Sequence, residues 1–258
     1  MNNALNQPFD PLIVKLASGF PTFTMGLMIL STYLIPVSKL AAETIYYSAV
    51  ITHLLLIVLF SLKFIKKFNI KKVFPSYFIV YVGIVVASVT APAYNNLFLG
   101  QILFYLGFAS YIILLPVISY RVFKVKEIPE AALPTITIFT APAGLCLAGY
   151  LSSFPVKNIF ILSCLLALTI ISVTAVILYL PKMIAGGFYP SFSAFTFPFV
   201  ITGIGLKMSN NYLKNNFNLN FINYPARMVE FLAVIILVFV FLSYFKFLFR
   251  QNTFSNSL

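Results

Sequence analysis

Five carboxylates, one imidazole and two thiols make up the chain's stock of conventional acid, base and metal-binding side chains: Asp10, Glu43, Glu127, Glu130, Glu230, His53, Cys146 and Cys164. They form neither a metal-ligand motif nor a paired-acid site, so an enzymatic reading finds no machinery and no metal or cofactor is expected. His53 lies midway along an apolar stretch and reads as a packing or hydrogen-bonded residue rather than a proton relay. Both cysteines fall inside apolar stretches and read as small packing residues, without a disulfide framework. Arg227 and Glu230 are three apart, the spacing of a local ion pair on a helix. The chemical character left within the apolar stretches is hydroxyl and aromatic. It is densest in "YPSFSAFTFPFVITGIG" (189–205), where Ser191, Ser193, Thr196, Phe195 and Phe197 surround Pro198.

The elements that must position these residues are set by composition. At 61% hydrophobic and 9% charged, the chain lies far from the roughly 45–50% and 25% of soluble domains. Its charges gather between uncharged stretches of about the 20 residues that a helix needs to cross a bilayer. Eight spans are predicted: 17–36, 44–65, 75–92, 97–120, 133–152, 158–181, 189–209 and 226–249. Two-residue alternation is absent from them, which argues against a membrane barrel. The first span follows a leader with Asp10 and a single Lys15, so it reads as a retained helix rather than a signal peptide. The expectation is an all-α polytopic membrane protein, one transmembrane domain over 1–258 with hairpins at about 17–65, 75–120, 133–181 and 189–249.

Lys and Arg set the orientation. The run "KFIKKFNIKK" (63–72) and the segment "RVFKVK" (121–126) follow even-numbered spans, on the same side as Lys15, Lys182, Lys246 and Arg250. The other side holds Lys39, Lys157, Lys207, Lys214 and Arg227. By the positive-inside rule both termini face the cytoplasm, in the cell membrane. The net charge of +12 is dispersed along loops rather than over one basic module, which points to topology and anionic headgroups and not to nucleic acid.

The chain also repeats. "FPTFTMG" at 20, "FPSYFIVYVG" at 74, "LPTITIFTAPAG" at 133 and "YPSFSAFTFPFV" at 189 open the odd spans, with Pro21, Pro75, Pro134 and Pro190 separated by 54, 59 and 56 residues on subtraction. That period is one two-helix hairpin. Proline suits the first turn of a helix, where its missing N–H has no partner anyway, so the four odd spans are expected to share one opening geometry. Eight residues beyond each opening proline stand Ile29, Gly83, Pro142 and Pro198. Three of these weaken a helix at a shared depth, which predicts bends at Gly83, Pro142 and Pro198 around a common axis. The odd spans carry small and hydroxyl residues, among them Ser88, Thr140, Gly144, Ser193, Thr196 and Gly203, whereas even spans are mostly Leu, Ile and Val. Odd helices are therefore expected inside around a central pore, lined by those six residues, with even helices against lipid.

All five acids lie outside the inner spans, whereas cation and proton pathways generally need intramembrane carboxylates. Hydroxyls, aromatics and positive helix ends at a basic mouth tolerate an anion better than a cation. The bends are assigned to shape, since the carbonyls a proline frees, at Ile138 or Ala194, repel anions.

"FPSYFIVYVGIVVASVTAP" (74–92), "PTITIFTAPAGLCLAGYLS" (134–152) and "SFSAFTFPFVITGIG" (191–205) resemble the inner helices of the tellurite-resistance/dicarboxylate transporter family, which includes bacterial TehA and the slow anion channels of plant guard cells. The resemblance covers essentially the whole chain. It implies proline-bent inner helices around a pore, a homo-oligomer that is usually a trimer, and a small inorganic or carboxylate anion as the transported species. It also implies a pore plugged by a phenylalanine in an "FP" context, here Phe197, with Phe195 the rival if the register shifts by two. The family fold has five hairpins, and "FDPLIVKLASGFPTFTMGLMILSTYL" resembles its third helix, so the first hairpin is expected to be missing and the pore wall to have a gap. Three functions stay open: a passive anion pathway, a proton-coupled C4-dicarboxylate or tellurite-related exporter, and a non-conducting truncated member or membrane scaffold.

Overall fold

The computed structural model describes residues 11–64, 68–126 and 128–255, with side chains between 19 and 249. Asp10 and Glu127 lie outside the described residues. Among these residues every regular element is helical. The first hairpin is α1 (Pro11–Leu34) and α2 (Lys39–Phe64); the second is α3 (Tyr77–Val82), α4 (Val85–Thr90) and α5 (Leu97–Ser119). The third is a 3-10 segment (Glu130–Phe139) continued by α6 (Thr140–Ser153) and returned by α7 (Ile159–Ala185). The fourth is a 3-10 segment (Pro190–Phe195), α8 (Thr196–Phe217) and α9 (Asn223–Ser255). Seven units are long and apolar enough to cross a membrane, and α1 with 24 residues brings the eighth.

Asparagine makes the tight turns between these helices. Asn95 and Asn218 take left-handed backbone with φ of 53° and 55°, which a short polar side chain tolerates better than a branched one. Asn96 and Asn158 accept backbone N–H groups at the starts of α5 and α7, satisfying amides that a new helix leaves open.

In the second, third and fourth hairpins inner and outer helices separate as the small-residue pattern predicts, whereas α1 keeps Phe20, Phe23, Leu30 and Tyr33 exposed. In the crossing units Tyr77–Tyr94, Glu130–Ser153 and Pro190–Phe217, 67, 78 and 50% of the most apolar window is buried, against 17–33% in the outer helices. Close approach explains the inner packing. A Cβ on Gly144 would stand 2.7 Å from Thr202 Cα, and one on Gly205 would stand 2.6 Å from the Gly144 carbonyl oxygen, so α6 and α8 meet backbone to backbone.

Two expectations need correction. Pro21 lies inside α1, ten residues past its start, Pro134 lies inside a 3-10 segment and Pro75 precedes the Ser76 cap of α3, so only Pro190 opens its unit as a first-turn proline. Residues before Pro21 are themselves apolar and helix-forming, so α1 begins early and carries the proline in its interior. The seventh span also continues eight residues past 209 to Phe217. Lys207, Leu213 and Lys214 favour helix although they end the apolar run, and Asn218 stops it.

Candidate anion pathway

The prolines at the shared depth escape the cost of about 3 kcal/mol that an interior proline carries through a change of helix type. Glu130–Phe139 and Pro190–Phe195 wind as 3-10 helix, and the α-helix begins at Thr140 and Thr196. Pro142 and Pro198 are thus each the third α-helical residue, where no intrahelical donor is required. In the second unit α3 stops at Val82 and α4 begins at Val85, so Gly83 and Ile84 form the break. In the first unit Ile29 sits in continuous α1. The three weak points thus mark three backbone discontinuities, and the first unit passes that depth as unbroken α-helix.

At that depth the four inner units together border a cavity of about 740 Å³. It is bounded by Thr22, Met25 and Ile29 of the first unit, Ser76, Ile79 and Gly83 of the second, Thr135, Ile138 and Pro142 of the third, and Ser191, Ser193, Thr196, Phe197 and Pro198 of the fourth. None of its lining residues is charged. The hydroxyl dipoles are the groups suited to a negative guest.

The hydroxyls are engaged at rest. Thr135 donates to the Ala132 carbonyl (2.6 Å), Ser191 to Ala131 (2.5 Å), Ser193 to Pro190 (3.2 Å) and Thr196 to Ser193 (2.7 Å). A hydroxyl rotates about its C–O bond, so each can turn from a helical carbonyl to a passing anion without moving the backbone.

The two phenylalanines of the last unit part company. Phe195 is fully buried and packs on Phe192 with ring centroids 4.9 Å apart. Phe197 is 37% exposed and lines the cavity. Of the other residues singled out from sequence, Gly83, Pro142, Pro198, Ser193 and Thr196 border the cavity, whereas Ser88, Thr140, Gly144 and Gly203 do not. Ser88 donates to the Gly149 carbonyl (3.2 Å) and receives Ser153, whose hydroxyl reaches the Ser88 carbonyl at 2.6 Å, so it clasps α4 to α6. Thr140 donates within its own unit, and its carbonyl accepts Thr202 of α8 at 3.1 Å. Gly144 faces α8, and Gly203 faces Glu230 of α9. In the inner units a small residue thus serves helix contact wherever two units touch. Composition alone missed Met25, Ile79 and Ile138, whose apolar side chains form wall; position one turn before Ile29, Gly83 or Pro142 was the available signal.

The ring is a horseshoe. α1 packs on α2, α3 and α4, while α8 packs on α6 and α9, and among the described residues no substantial packing joins α1 to α8. A Cβ on Gly19 or Gly26 of α1 would meet nothing within 4 Å, and Phe20 and Phe23 are exposed beside them.

At the mouth, the Tyr189 hydroxyl donates to Glu130 (3.3 Å); desolvation and that carboxylate both push its phenol upward. Arg121 is buried in a π-helical turn (Tyr120–Val125), donates to the Lys71 carbonyl at 3.2 Å and stands over Phe74 at 5.9 Å. It ties together the loops that precede the second and third inner units. At the far end Glu230 pairs with Lys207 of α8 at 2.9 Å, an interhelical partner in place of the local Arg227 pairing. Lys157 stands over the Tyr212 ring at 5.6 Å, and partial burial lowers its pKa.

No curated protein matches the chain. The sequence model of a family described as voltage-dependent anion channel matches residues 14–245, which takes in all four hairpins and every residue bordering the cavity. This multi-pass membrane protein belongs to that anion channel family.

Proposed function

We propose that the chain conducts small anions passively along the axis of its inner units, with Phe197 as the gate. The observation that carries this reading is the uncharged cavity bordered by Phe197 at the depth of three helix breaks. A cation would find no carboxylate among the lining residues, while an anion would find rotatable hydroxyls. Phe197 is the large aromatic that borders the cavity from α8, and deeper in the bundle α6 and α8 meet backbone to backbone at Gly144 and Gly205. Rotation of one side chain is the smallest motion that would open the path.

In this reading both termini are cytoplasmic, and the lysines of the connections after α2, α5 and α7 concentrate anions at the cavity mouth. A homo-oligomer in the bilayer, a trimer by family resemblance, completes the arrangement, with one protein domain per subunit. The transported species is a small inorganic anion or a small carboxylate.

The test is efflux from liposomes holding wild-type protein or Phe197→Ala, with chloride, nitrate and a C4-dicarboxylate compared. Flux that rises at least tenfold in the variant supports a plugged pore; silence from two folded samples would sink it. An imposed pH gradient that drives uptake would shift the reading to a proton-coupled exporter.

A further inference from the structure

His53 is the one imidazole of the chain and is fully buried at the middle of α2, an outer helix that contributes nothing to the cavity wall. Both ring nitrogens are engaged, and each reaches a different inner unit. Nε2 lies 3.0 Å from the Val80 carbonyl oxygen of α3, and Nδ1 lies 2.6 Å from Thr24 Oγ1 of α1. A carbonyl can only accept, so Nε2 carries a proton, and in the neutral ring Nδ1 accepts from the Thr24 hydroxyl. That hydroxyl has a second acceptor in reach, the Pro21 carbonyl at 2.9 Å.

The position of this bridge gives it consequence. Val80 is in the last turn of α3, where carbonyls have no intrahelical donor because the helix stops before Gly83. Pro21 similarly interrupts the ladder of α1 one turn before Met25. His53 therefore joins the two inner units where each is weakest. A Cβ on Gly83 would stand 3.0 Å from His53 Cε1 and 2.7 Å from Met25 Sδ. Gly83 and Met25 both line the cavity, so the imidazole is the layer directly behind that part of the wall.

We infer that His53 is a positioning residue for anion passage: by holding α1 to α3 behind Gly83 and Met25, it sets the bore of the cavity and so the size of anion admitted. The inference rests on the conduction reading above. His53 touches no anion; its effect passes through the wall it supports. Removing the ring leaves a void continuous with the cavity and frees Met25 to fall back into it.

Two readouts test this, both in a Cys164→Ser background because Cys164 is exposed and Cys146 buried. In the first, efflux of chloride and of a C4-dicarboxylate is compared in the Phe197→Ala protein with His53 kept, changed to Ala, or changed to Gln. His53→Ala is expected to raise the dicarboxylate-to-chloride ratio by roughly fivefold, since selectivity in such a pore follows its radius. His53→Gln keeps a donor and an acceptor and is expected to restore the ratio, which loss of general stability would not do. In the second, a small water-soluble thiol reagent modifies Met25→Cys, and His53→Ala is expected to speed modification by about tenfold through the widened bore. Thr24→Val removes one arm of the bridge at nearly constant volume and gives a smaller increase in a variant that folds if His53→Ala does not. The modification rate is read without transport, so it decides the inference even where Phe197→Ala is silent and the conduction reading fails. An unchanged rate in folded His53→Ala or Thr24→Val protein overturns the assignment.

Discussion

The two halves of the inner bundle use the same residue types for opposite ends. On the mouth side of the breaks, the 3-10 segments of the third and fourth units touch, with Ser191 bonded to the Ala131 carbonyl, yet the four units enclose about 740 Å³ that Ser191, Ser193 and Thr196 border. Beyond the breaks, α6 and α8 touch backbone to backbone at Gly144, Thr202 and Gly205, and Ser88, Ser153 and Thr202 make bonds between helices. The change from 3-10 to α-helix at Thr140 and Thr196 separates the two regimes. A hydroxyl in a membrane helix is therefore no marker of a pathway by itself. Its meaning depends on which side of the break it occupies.

The sharpest way to break this comparison is at the boundary. Phe197→Ala is expected to raise anion flux by about tenfold or more, because it removes the ring proposed as the gate. Phe195→Ala, two residues away, is expected to leave flux unchanged and to destabilise the fold by about 3–5 kcal/mol, the usual cost of emptying a buried phenylalanine site. Liposome efflux and denaturant or thermal unfolding in detergent check the pair. Equal flux increases from both would move the gate off Phe197.

The next effect is confined to the packed half. Gly144→Val would drive a side chain into the Thr202 backbone, where even a Cβ stands at 2.7 Å. Backbone cannot yield as a flexible side-chain tip does, so loss of monodisperse protein is expected, with at least about 1–3 kcal/mol lost to overpacking. Gly203→Ala meets Glu230 Cγ at 3.4 Å, ordinary contact, and is expected to be tolerated. Size-exclusion profiles and melting temperatures separate the two. A stable Gly144→Val protein would mean that the α6–α8 contact is looser than drawn.

How far these halves were legible in the sequence follows from what each signal reports. The hairpin period and the proline register locate Gly83, Pro142 and Pro198 because backbone weakness is written in residue type. They miss that the third and fourth units solve the problem by winding as 3-10 helix, since the choice between two hydrogen-bond ladders depends on neighbouring units. Phe195 and Phe197 differ by two residues, about 200° around a helix of 3.6 residues per turn. One faces the core and the other the cavity, and no composition argument divides them. Ser88 and Gly144 look like pore residues because closely packed and pore-facing positions both favour small side chains; only the partner helix distinguishes them. Pro21 resembled the other opening prolines but lies within α1, where the preceding helix is decided by ten residues that the repeat does not cover.

The smallest expected effects sharpen the comparison most, because they contrast single hydroxyls. Ser88→Ala removes a bond to the Gly149 carbonyl and leaves the Ser153 hydroxyl its bond to the Ser88 backbone, so about 0.6–1.7 kcal/mol of stability should be lost with no change in anion preference. Thr196→Val keeps the volume and removes a hydroxyl on the cavity wall whose proton is held by the Ser193 carbonyl. Little stability should change, because that intrahelical bond adds only to a helix already formed. Flux of a strongly hydrated anion such as chloride should fall by roughly two- to fivefold relative to a weakly hydrated one such as nitrate, since the lost donor would have replaced part of the hydration shell. The crossed pattern, stability without selectivity on one side and selectivity without stability on the other, follows only if the break at Thr140 and Thr196 divides helix contact from ion path. Selectivity changes from Ser88→Ala would extend the path into the packed half and require that α4 and α6 part during conduction.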